Sequence, residues 1–265
     1  MNLKKIHHLS LAQANPLEYF KRSNLLEEEL LFDEEFLYRV SNTRFFVPLK
    51  KMSYKEISGS TGEAIPLLLF KPDFTPFFTF YSTITKAFNI VKTEGVGSND
   101  YFSDLLYRDM CALDIINLLE DNDIREADID ADKWTVSPLH LKKPRAKSWK
   151  SALTSIKYKI SQEEKTVDAK IDDTLEQAIT IIKSKKFITN IYLEQIEISK
   201  FKKYKFYLSS VEDPYILFNE YAILLETIND LFNNDIFIEF ICIFEKDIKN
   251  LVFDNVLQVS AAIKN

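Results

Sequence analysis

Glycine is scarce in this chain, and its scarcity limits the turns and binding loops that the chain can form. The 265 residues contain four glycines, at Gly59, Gly62, Gly95 and Gly97, and none occurs after residue 97. Ordinary usage of roughly 7% would give about eighteen. Phosphate-binding loops need glycine because backbone amides must approach the anion without a Cβ in the way. The two glycine pairs complete neither a dinucleotide-binding fingerprint nor a Walker-type loop, and the sequence has no GxSxG nucleophile elbow.

The same shortage predicts how the second half of the chain makes its turns. Without glycine, a tight turn either avoids positive φ or uses Asn or Asp, which tolerate it. Candidate turns are Asn233-Asn234-Asp235 and Ser209-Ser210. We therefore expect a packed scaffold whose function depends on its surface side chains.

Composition predicts a folded, cytoplasmic protein. With 46% apolar and 28% charged residues the chain can form a core. No apolar run approaches the roughly 20 residues that span a bilayer, and no apolar segment follows the basic start as in a signal peptide. Cys111 and Cys242 lie in apolar runs and are expected to be buried free thiols in a reducing compartment.

Charge is distributed unevenly within the net −6. Residues 1–140 carry −7, residues 141–210 carry +8 and residues 211–265 carry −7. Only six of the 34 basic residues are arginine, whose forked side chain is favoured for reading bases. Lysine dominance fits either a solvated surface or an AT-rich coding bias.

Hydrophobic periodicity predicts helices that alternate with strands. Helical spacing is expected over Pro16–Ser41, Asp100–Glu120, Asp172–Lys186 and Pro214–Phe232. Strands are expected over Thr43–Leu49, Ala64–Phe70, Lys133–Leu139, Phe187–Ile198, Lys202–Ser209 and Asp235–Phe244. The first two strands suggest a hairpin, and Pro48 and Pro66 restrict them to edge or bulge positions.

The two halves show a loosely similar order of elements. We therefore predict an α+β fold with two small domains of similar helix and strand plan, each with a mixed or antiparallel sheet packed by helices. The expected domains are residues 1–141 and 151–265. The segment KKPRAKSWK, residues 142–150, is basic and contains proline, which is typical of a linker.

Four apolar segments carry a resemblance to a known family. They are FLYRVSNTRFFVPL (36–49), IPLLLFKPDFTPFF (65–78), TLEQAITIIKS (174–184) and NIYLEQIEI (190–198). Together they resemble the SseB family of bacterial proteins, which is named for enhanced serine sensitivity. The Ser137-Pro138 step replaces the usual Asn-Pro of that family, and the usual aromatic ending is missing. The resemblance implies SseB-like N- and C-terminal α+β domains and an interaction role near toxin or secretion loci, and it implies no catalytic residue.

Residues that could support catalysis or metal binding do not form a recognised motif. His7, His8 and His140 lack the spacing of metal ligands, although a pair of His140 with Cys111 or Cys242 stays open. We therefore predict no metal, no cofactor and no enzymatic activity. An active site assembled from carboxylates distant in sequence remains a third possibility.

An acidic run resembles a calcium loop but does not complete it. Asp128, Asp130 and Asp132 match the first positions of an EF-hand loop, whereas Lys133 stands where glycine is required and Leu139 where glutamate is required. A solvated acidic loop is the simplest interpretation.

The leading functional hypothesis is binding of a protein partner by an immunity or accessory protein, with a toxin or a secretion-associated protein as candidate partner. Acidic side chains next to a tryptophan can form such a surface. The candidate binding residues are Asp121, Asp123, Asp128, Asp130, Asp132 and Trp134.

The alternative hypothesis is association with nucleic acid through two basic segments. Lysines alternate with aromatics near residue 204, a pattern that binds single strands and also fits a half-buried strand. The candidate residues are Lys142, Lys143, Arg145, Lys147, Lys200, Lys202, Lys203 and Lys205.

Overall fold

The computed structural model describes residues 8–26, 29–50, 65–66, 68–70, 76–87, 106–121, 126–130, 139–198, 201–232, 236–250 and 256–261. The α-helices are α1 Pro16–Ser23, α2 Glu34–Ser41, α3 Ala112–Asp121, α4 Lys143–Glu163, α5 Asp173–Lys183 and α6 Phe218–Leu231, and a 3₁₀ helix spans Glu245–Asn250. The strands are β1 His8–Gln13, β2 Arg44–Lys50, β3 Ile65–Pro66, β4 Leu68–Phe70, β5 Pro76–Phe80, β6 Leu106–Cys111, β7 Glu126–Ile129, β8 Leu139–Lys142, β9 Lys165–Val167, β10 Ile188–Ile198, β11 Phe201–Ser210, β12 Ile236–Phe244 and β13 Leu257–Ala261. This combination of helices with mixed sheets confirms the predicted α+β class.

Contacts group the chain into two compact units. Met1–Ala14 and Tyr158–Asn265 form the first, called here the six-stranded unit, and Asn15–Lys157 form the second, called the two-sheet unit. The names follow their sheets: one of six strands in the first unit, and one of three and one of four strands in the second. Two domains of similar plan are therefore not confirmed.

The segment predicted to be a linker, residues 142–150, contains the last residue of β8 and the start of α4. Trp149, Leu153, Ile156 and Ile160 are buried and follow one another at intervals of four, three and four residues. Such spacing defines one face of a helix. Most of this periodicity lies beyond residue 150, so the basic segment taken alone does not show it.

The six-stranded sheet has the order β1-β12-β11-β10-β13, and β9 also pairs with β10. β11 and β12 run parallel, and the other neighbours run antiparallel. α6 packs on β1 and β12, and α5 packs on β10. The predicted elements of this region are confirmed as α5, β10, β11, α6 and β12.

A row of apolar side chains crosses four strands of this sheet. Leu193 pairs with Phe206, Phe206 with Phe240, and Phe240 with Leu11. All four residues are fully buried. Residues near the start of the chain therefore complete a core that is built from its second half.

In the two-sheet unit, one sheet has the order β3-β2-β6 and the other β4-β5-β7-β8. The predicted hairpin is confirmed where Leu49 and Lys50 pair with Pro66 and Ile65. Leu68–Phe70 instead pair with β5 in the second sheet. Backbone hydrogen bonds of 2.7 and 3.0 Å between Phe46 and Tyr81 form a bridge from β2 to the residue after β5.

The helix predicted over residues 100–120 begins only at Ala112 in the structure, and its first residues lie outside the described part of the chain. Leu106–Cys111 form β6, because all six of these residues pair with β2, from Arg44 to Leu49. The apolar spacing fits a helix locally, but this pairing with a strand some sixty residues earlier overrides it.

The helix predicted over residues 16–41 is two helices. Asn24 has a φ of 54°, in the left-handed region that ends a helix, and caps α1. Asp33 then starts α2, since its carboxylate accepts a hydrogen bond of 2.6 Å from the amide of Phe36. Within the part of the chain that the structure describes, no helix is long and apolar enough to cross a membrane.

Candidate protein-binding surface

Large apolar side chains are exposed on the turn before α6 and on α6 itself. Val211, Tyr215, Ile216 and Ile223 are 65%, 50%, 72% and 47% exposed. Scattered single apolar residues are normal on a protein surface, but four within thirteen residues of one turn and helix are concentrated. We call the exposed residues of 211–216 and of α6 the α6 surface.

Local hydrogen bonds order the turn that carries Tyr215 and Ile216. The Asp213 carboxylate accepts from the amide of Tyr215 at 3.0 Å, and the Asp213 carbonyl accepts from the amide of Ile216 at 2.9 Å. Pro214, which lies between Asp213 and Tyr215 in sequence, is buried. The Tyr215 hydroxyl donates to the carbonyl of His8 at 3.2 Å, which connects the turn to the start of β1. The exposed side chains therefore lie on an ordered backbone.

Opposite faces of α6 differ in chemistry. The buried face contains Tyr221, Leu224, Leu225 and Ile228. The exposed face contains Glu220, Ile223, Thr227 and Asp230, at the three- and four-residue spacing that places side chains on one side of a helix. The exposed stripe therefore places Ile223 between two carboxylates.

No positive side chain offsets these carboxylates in sequence. Residues 206–245 contain eight acidic residues and neither lysine nor arginine. Of the eight, Glu212, Asp213, Glu220 and Asp230 are exposed. The α6 surface is therefore both apolar and negatively charged.

The acidic surface predicted from the sequence is only partly within the described residues. Asp121 is exposed at the end of α3, whereas Asp123, Asp132 and Trp134 lie outside the described residues. Asp128 is half-buried in β7, in register with Thr79 of β5 and His140 of β8. Asp121 and Asp128 remain candidates.

Asp130 does not belong to an exposed surface, and this part of the prediction is corrected. Its side chain is only 8% exposed and forms an ion pair of 2.7 Å with Lys86. The carboxylate also accepts hydrogen bonds of 2.6 Å from the Ser82 amide and from the Ser82 hydroxyl. Asp130 has a φ of 54°, a left-handed conformation that aspartate tolerates. Its role is to hold the end of β7 against the residues that follow β5.

The basic segment near residue 204 is largely neutralised within the sheet. Lys203 forms ion pairs with Glu239 at 2.7 Å and with Glu164 at 3.7 Å. Lys205 lies 3.7 Å from Glu194. Lys202 is exposed. This arrangement favours the interpretation of alternating residues in a half-buried strand.

The structure describes the other residues predicted to bind nucleic acid only in part. Lys147 is exposed on α4. Lys142, Lys143 and Arg145 lie in described elements, but their side chains are outside the description, and Lys200 is outside it entirely. A nucleic-acid role stays a prediction.

Buried charge explains the pKa shifts at the centre of the sheet. Desolvation alone would lower the pKa of Lys203, but Glu239 and Glu164 outweigh it, so the pKa of this lysine is raised. Desolvation alone would raise the pKa of Glu239, but Lys203 and Lys205 outweigh it, so the pKa of this glutamate is lowered. Both groups are therefore charged at neutral pH.

A small cavity lies beside Cys111 in the two-sheet unit. Its volume is about 40 Å³, and it is lined by Ser41, Cys111, Ala112, Leu113, Leu153 and Lys157. The Cys111 thiol donates to an Asp114 carboxylate oxygen at 3.0 Å. Burial and the Asp114 carboxylate raise the pKa of Cys111, which disfavours the nucleophilic thiolate.

Cys111 and Cys242 are both free, as predicted, although Cys111 is only partly buried. Among the described residues, no group of three His, Cys, Asp or Glu side chains could hold a metal ion. His8 opens β1, and His7 lies outside the description.

Sequence reasoning missed the α6 surface, although the sequence contains one signal for it. The absence of lysine and arginine from residues 206–245 is visible in the sequence. Which face of α6 is exposed becomes visible only when the helix is seen packed on β1 and β12.

Comparison of the chain with protein-family models, with curated proteins and with solved structures found no match.

Proposed function

We propose that this chain is a non-enzymatic, cytoplasmic protein that binds a protein partner through the α6 surface. The observation that carries the proposal is the group of four large apolar side chains exposed on an ordered turn and helix. Fully burying an aliphatic side chain of this size contributes about 1.5–3 kcal/mol. A partner that covers Ile216 and Ile223 therefore gains affinity without reordering the surface.

Charge favours a protein over a nucleic acid as the partner at this surface. Its exposed ionisable groups are carboxylates, which repel phosphate. Charged groups around an apolar centre accelerate association and select partners of opposite charge. Asp121 on α3 belongs to the other unit and remains a separate candidate residue for binding.

The SseB-like resemblance is part of the same proposal. An immunity or accessory protein acts by covering a surface of a toxin or of a secretion-associated protein, and needs no catalytic group for that purpose. The raised pKa of Cys111 disfavours its thiolate, so this residue does not favour an alternative enzymatic role.

Affinity purification from the source cell tests the proposal. The full-length chain, an α6-surface variant (Glu212→Lys with Asp230→Lys) and a control variant (Asp168→Lys with Glu176→Lys) are used as bait. All four positions are exposed and each variant changes the charge by the same amount. We expect a protein, identified by mass spectrometry, that the wild type and the control retain and the α6-surface variant loses. If every recovered protein remained bound to the α6-surface variant, the proposed surface would be wrong.

A further inference from the structure

Resting on the proposed function, we infer that the α6 surface binds a basic amphipathic helix of its partner. The inferred segment carries apolar side chains two helical turns apart, with lysine or arginine on both sides of them. The exposed apolar residues favour a helix as the partner segment, and the charges around them favour a basic one.

The spacing favours a helical partner. Ile216 lies in the turn two residues before α6, and Ile223 lies on the exposed stripe of that helix. On a partner helix, seven residues make two turns, or about 10 Å along the axis. A partner helix whose apolar side chains recur at every seventh residue presents them on one face, where they can contact both isoleucines. Helix-on-helix recognition uses such repeated anchors.

The charges specify the sign of the partner. The exposed Glu212 and Asp213 precede Ile216 by four and three residues. Glu220 lies between the two isoleucines in sequence, and Asp230 lies in the last turn of α6. Lysines or arginines flanking the apolar side chains of a partner helix would meet these carboxylates. Since residues 206–245 contain no lysine or arginine, no cation from this segment competes for them.

A second copy of this chain is the competing occupant. Its α4 is rich in lysine, with Lys147 and Lys157 exposed, and it also exposes Tyr158. An acidic helix and a basic helix on one chain could support self-association. The test must therefore separate a foreign helix from a second copy.

The probe is a fluorescein-labelled synthetic helix of about 18 residues, or five turns, with leucine on one face and lysine on the other. The first control peptide keeps the leucines and replaces each lysine with glutamate. The second control peptide has the composition of the probe in an order without helical periodicity. Fluorescence anisotropy measures the binding of each peptide to the full-length protein at low and high salt.

We expect the lysine amphipathic peptide to bind the wild type. Its affinity should fall as the salt concentration rises, because salt screens exposed charges. Ile216→Ser with Ile223→Ser should weaken binding by about tenfold or more, as should Glu212→Lys with Asp230→Lys. The control variant, Asp168→Lys with Glu176→Lys, should change the affinity for the peptide by less than about twofold, because neither residue belongs to the α6 surface. Circular dichroism confirms that each variant is folded.

Three results would overturn the inference. The lysine amphipathic peptide could fail to bind at low salt. The peptide without periodicity could bind equally well, which would reduce the surface to an unspecific acidic patch. Sedimentation could show that the wild type self-associates and that the two serine substitutions abolish this, which would make a second copy the occupant.

The affinity purification distinguishes a failure of this inference from a failure of the proposed function. If a cellular partner depends on the α6 surface while the peptide does not bind, the proposed function stands and the helical class of partner is wrong. If no cellular protein depends on the surface, the proposed function fails whatever the peptide does.

Discussion

Lys203 and Glu239 form an ion pair that is nearly removed from water. Their side chains are 11% and 15% exposed, and the hydroxyl of Ser10 donates to the second carboxylate oxygen at 3.4 Å. Removing one member of a buried pair leaves the other charge uncompensated, which costs about 3–5 kcal/mol. The two residues are therefore coupled, and their contribution to stability depends on pH.

The stability of the protein should fall in acid partly because of Glu239. The pKa of this carboxyl is lowered in the folded state from its ordinary value of 4.5. A lowered pKa contributes stability that is fully present above the unfolded value and is lost as pH falls through the folded value. We therefore expect the free energy of unfolding in urea to decline below about pH 4.5, and to decline less steeply in a variant with Lys203→Met and Glu239→Gln.

The double variant is the matched control for the other carboxylates of the chain, since both proteins share them. Glu239→Gln alone should be less stable than the double variant at pH 7, because it leaves Lys203 without its nearest counter-charge. Equal pH profiles for the wild type and the double variant would contradict the assigned role of this pair.

Among the secondary-structure elements, Asp130 connects the ends of two parallel strands. β5 and β7 run side by side, and the Asp130 amide donates to the Phe80 carbonyl at 2.7 Å. Its carboxylate then accepts two hydrogen bonds from Ser82 and forms the ion pair with Lys86. One side chain thus satisfies a backbone amide, a hydroxyl and a cation.

Asp130→Ala should destabilise the protein by about 2–4 kcal/mol, because it leaves a backbone amide and a hydroxyl without their acceptor. It also places a Cβ without a local hydrogen bond in the left-handed conformation. Asp130→Asn keeps an acceptor and the tolerance of positive φ, so it should cost less. Urea unfolding measures both variants against Asp121→Ala, an exposed substitution on α3. The interpretation is wrong if Asp130→Ala costs no more than Asp121→Ala.

Five elements of the second half could be predicted, whereas α4, β9 and β13 of that half and several elements of the first half could not. In β12 and α5 the local apolar pattern agrees with the pattern of burial, so the sequence alone is informative. For β6 the local pattern favours a helix, and pairing with β2 decides the outcome. The prediction that Asn and Asp replace glycine in turns concerned the second half and stays a prediction. Among the described residues, the non-glycine residues with positive φ are Asn15, Asn24 and Asp130, all in the first half, and Asn233-Asn234-Asp235 lies outside the description.

Prediction of the candidate site from the sequence is limited in the same way, because tertiary packing decides which residues are exposed. The acidic character of the second half after residue 210 follows from counting charges, but a count does not tell that Lys203 is buried against Glu239 while Glu220 is exposed. Tertiary packing of α6 on one side of the sheet decides which charges meet solvent. The composition therefore predicts the net charge of a segment, but it does not predict which of its charged side chains are exposed.

At the scale of the whole molecule, the start of the chain belongs to the same unit as its end. β1 is the edge strand of the six-stranded sheet, and its partner β12 lies more than 220 residues later. Leu11 is fully buried and pairs with Phe240. The core of this unit therefore cannot be completed by residues 158–265 alone.

Leu11→Ala should destabilise the protein by about 2–5 kcal/mol, since a truncated core leucine loses its burial and leaves a cavity. Leu26→Ala provides the control, because the same substitution is made only fifteen residues away at a side chain that is 59% exposed. Urea unfolding monitored by far-ultraviolet circular dichroism compares the two free energies. Equal costs for both variants would show that β1 contributes little to the core. A large cost for Leu11→Ala alone would show that a segment far from the second half in sequence is required for its stability.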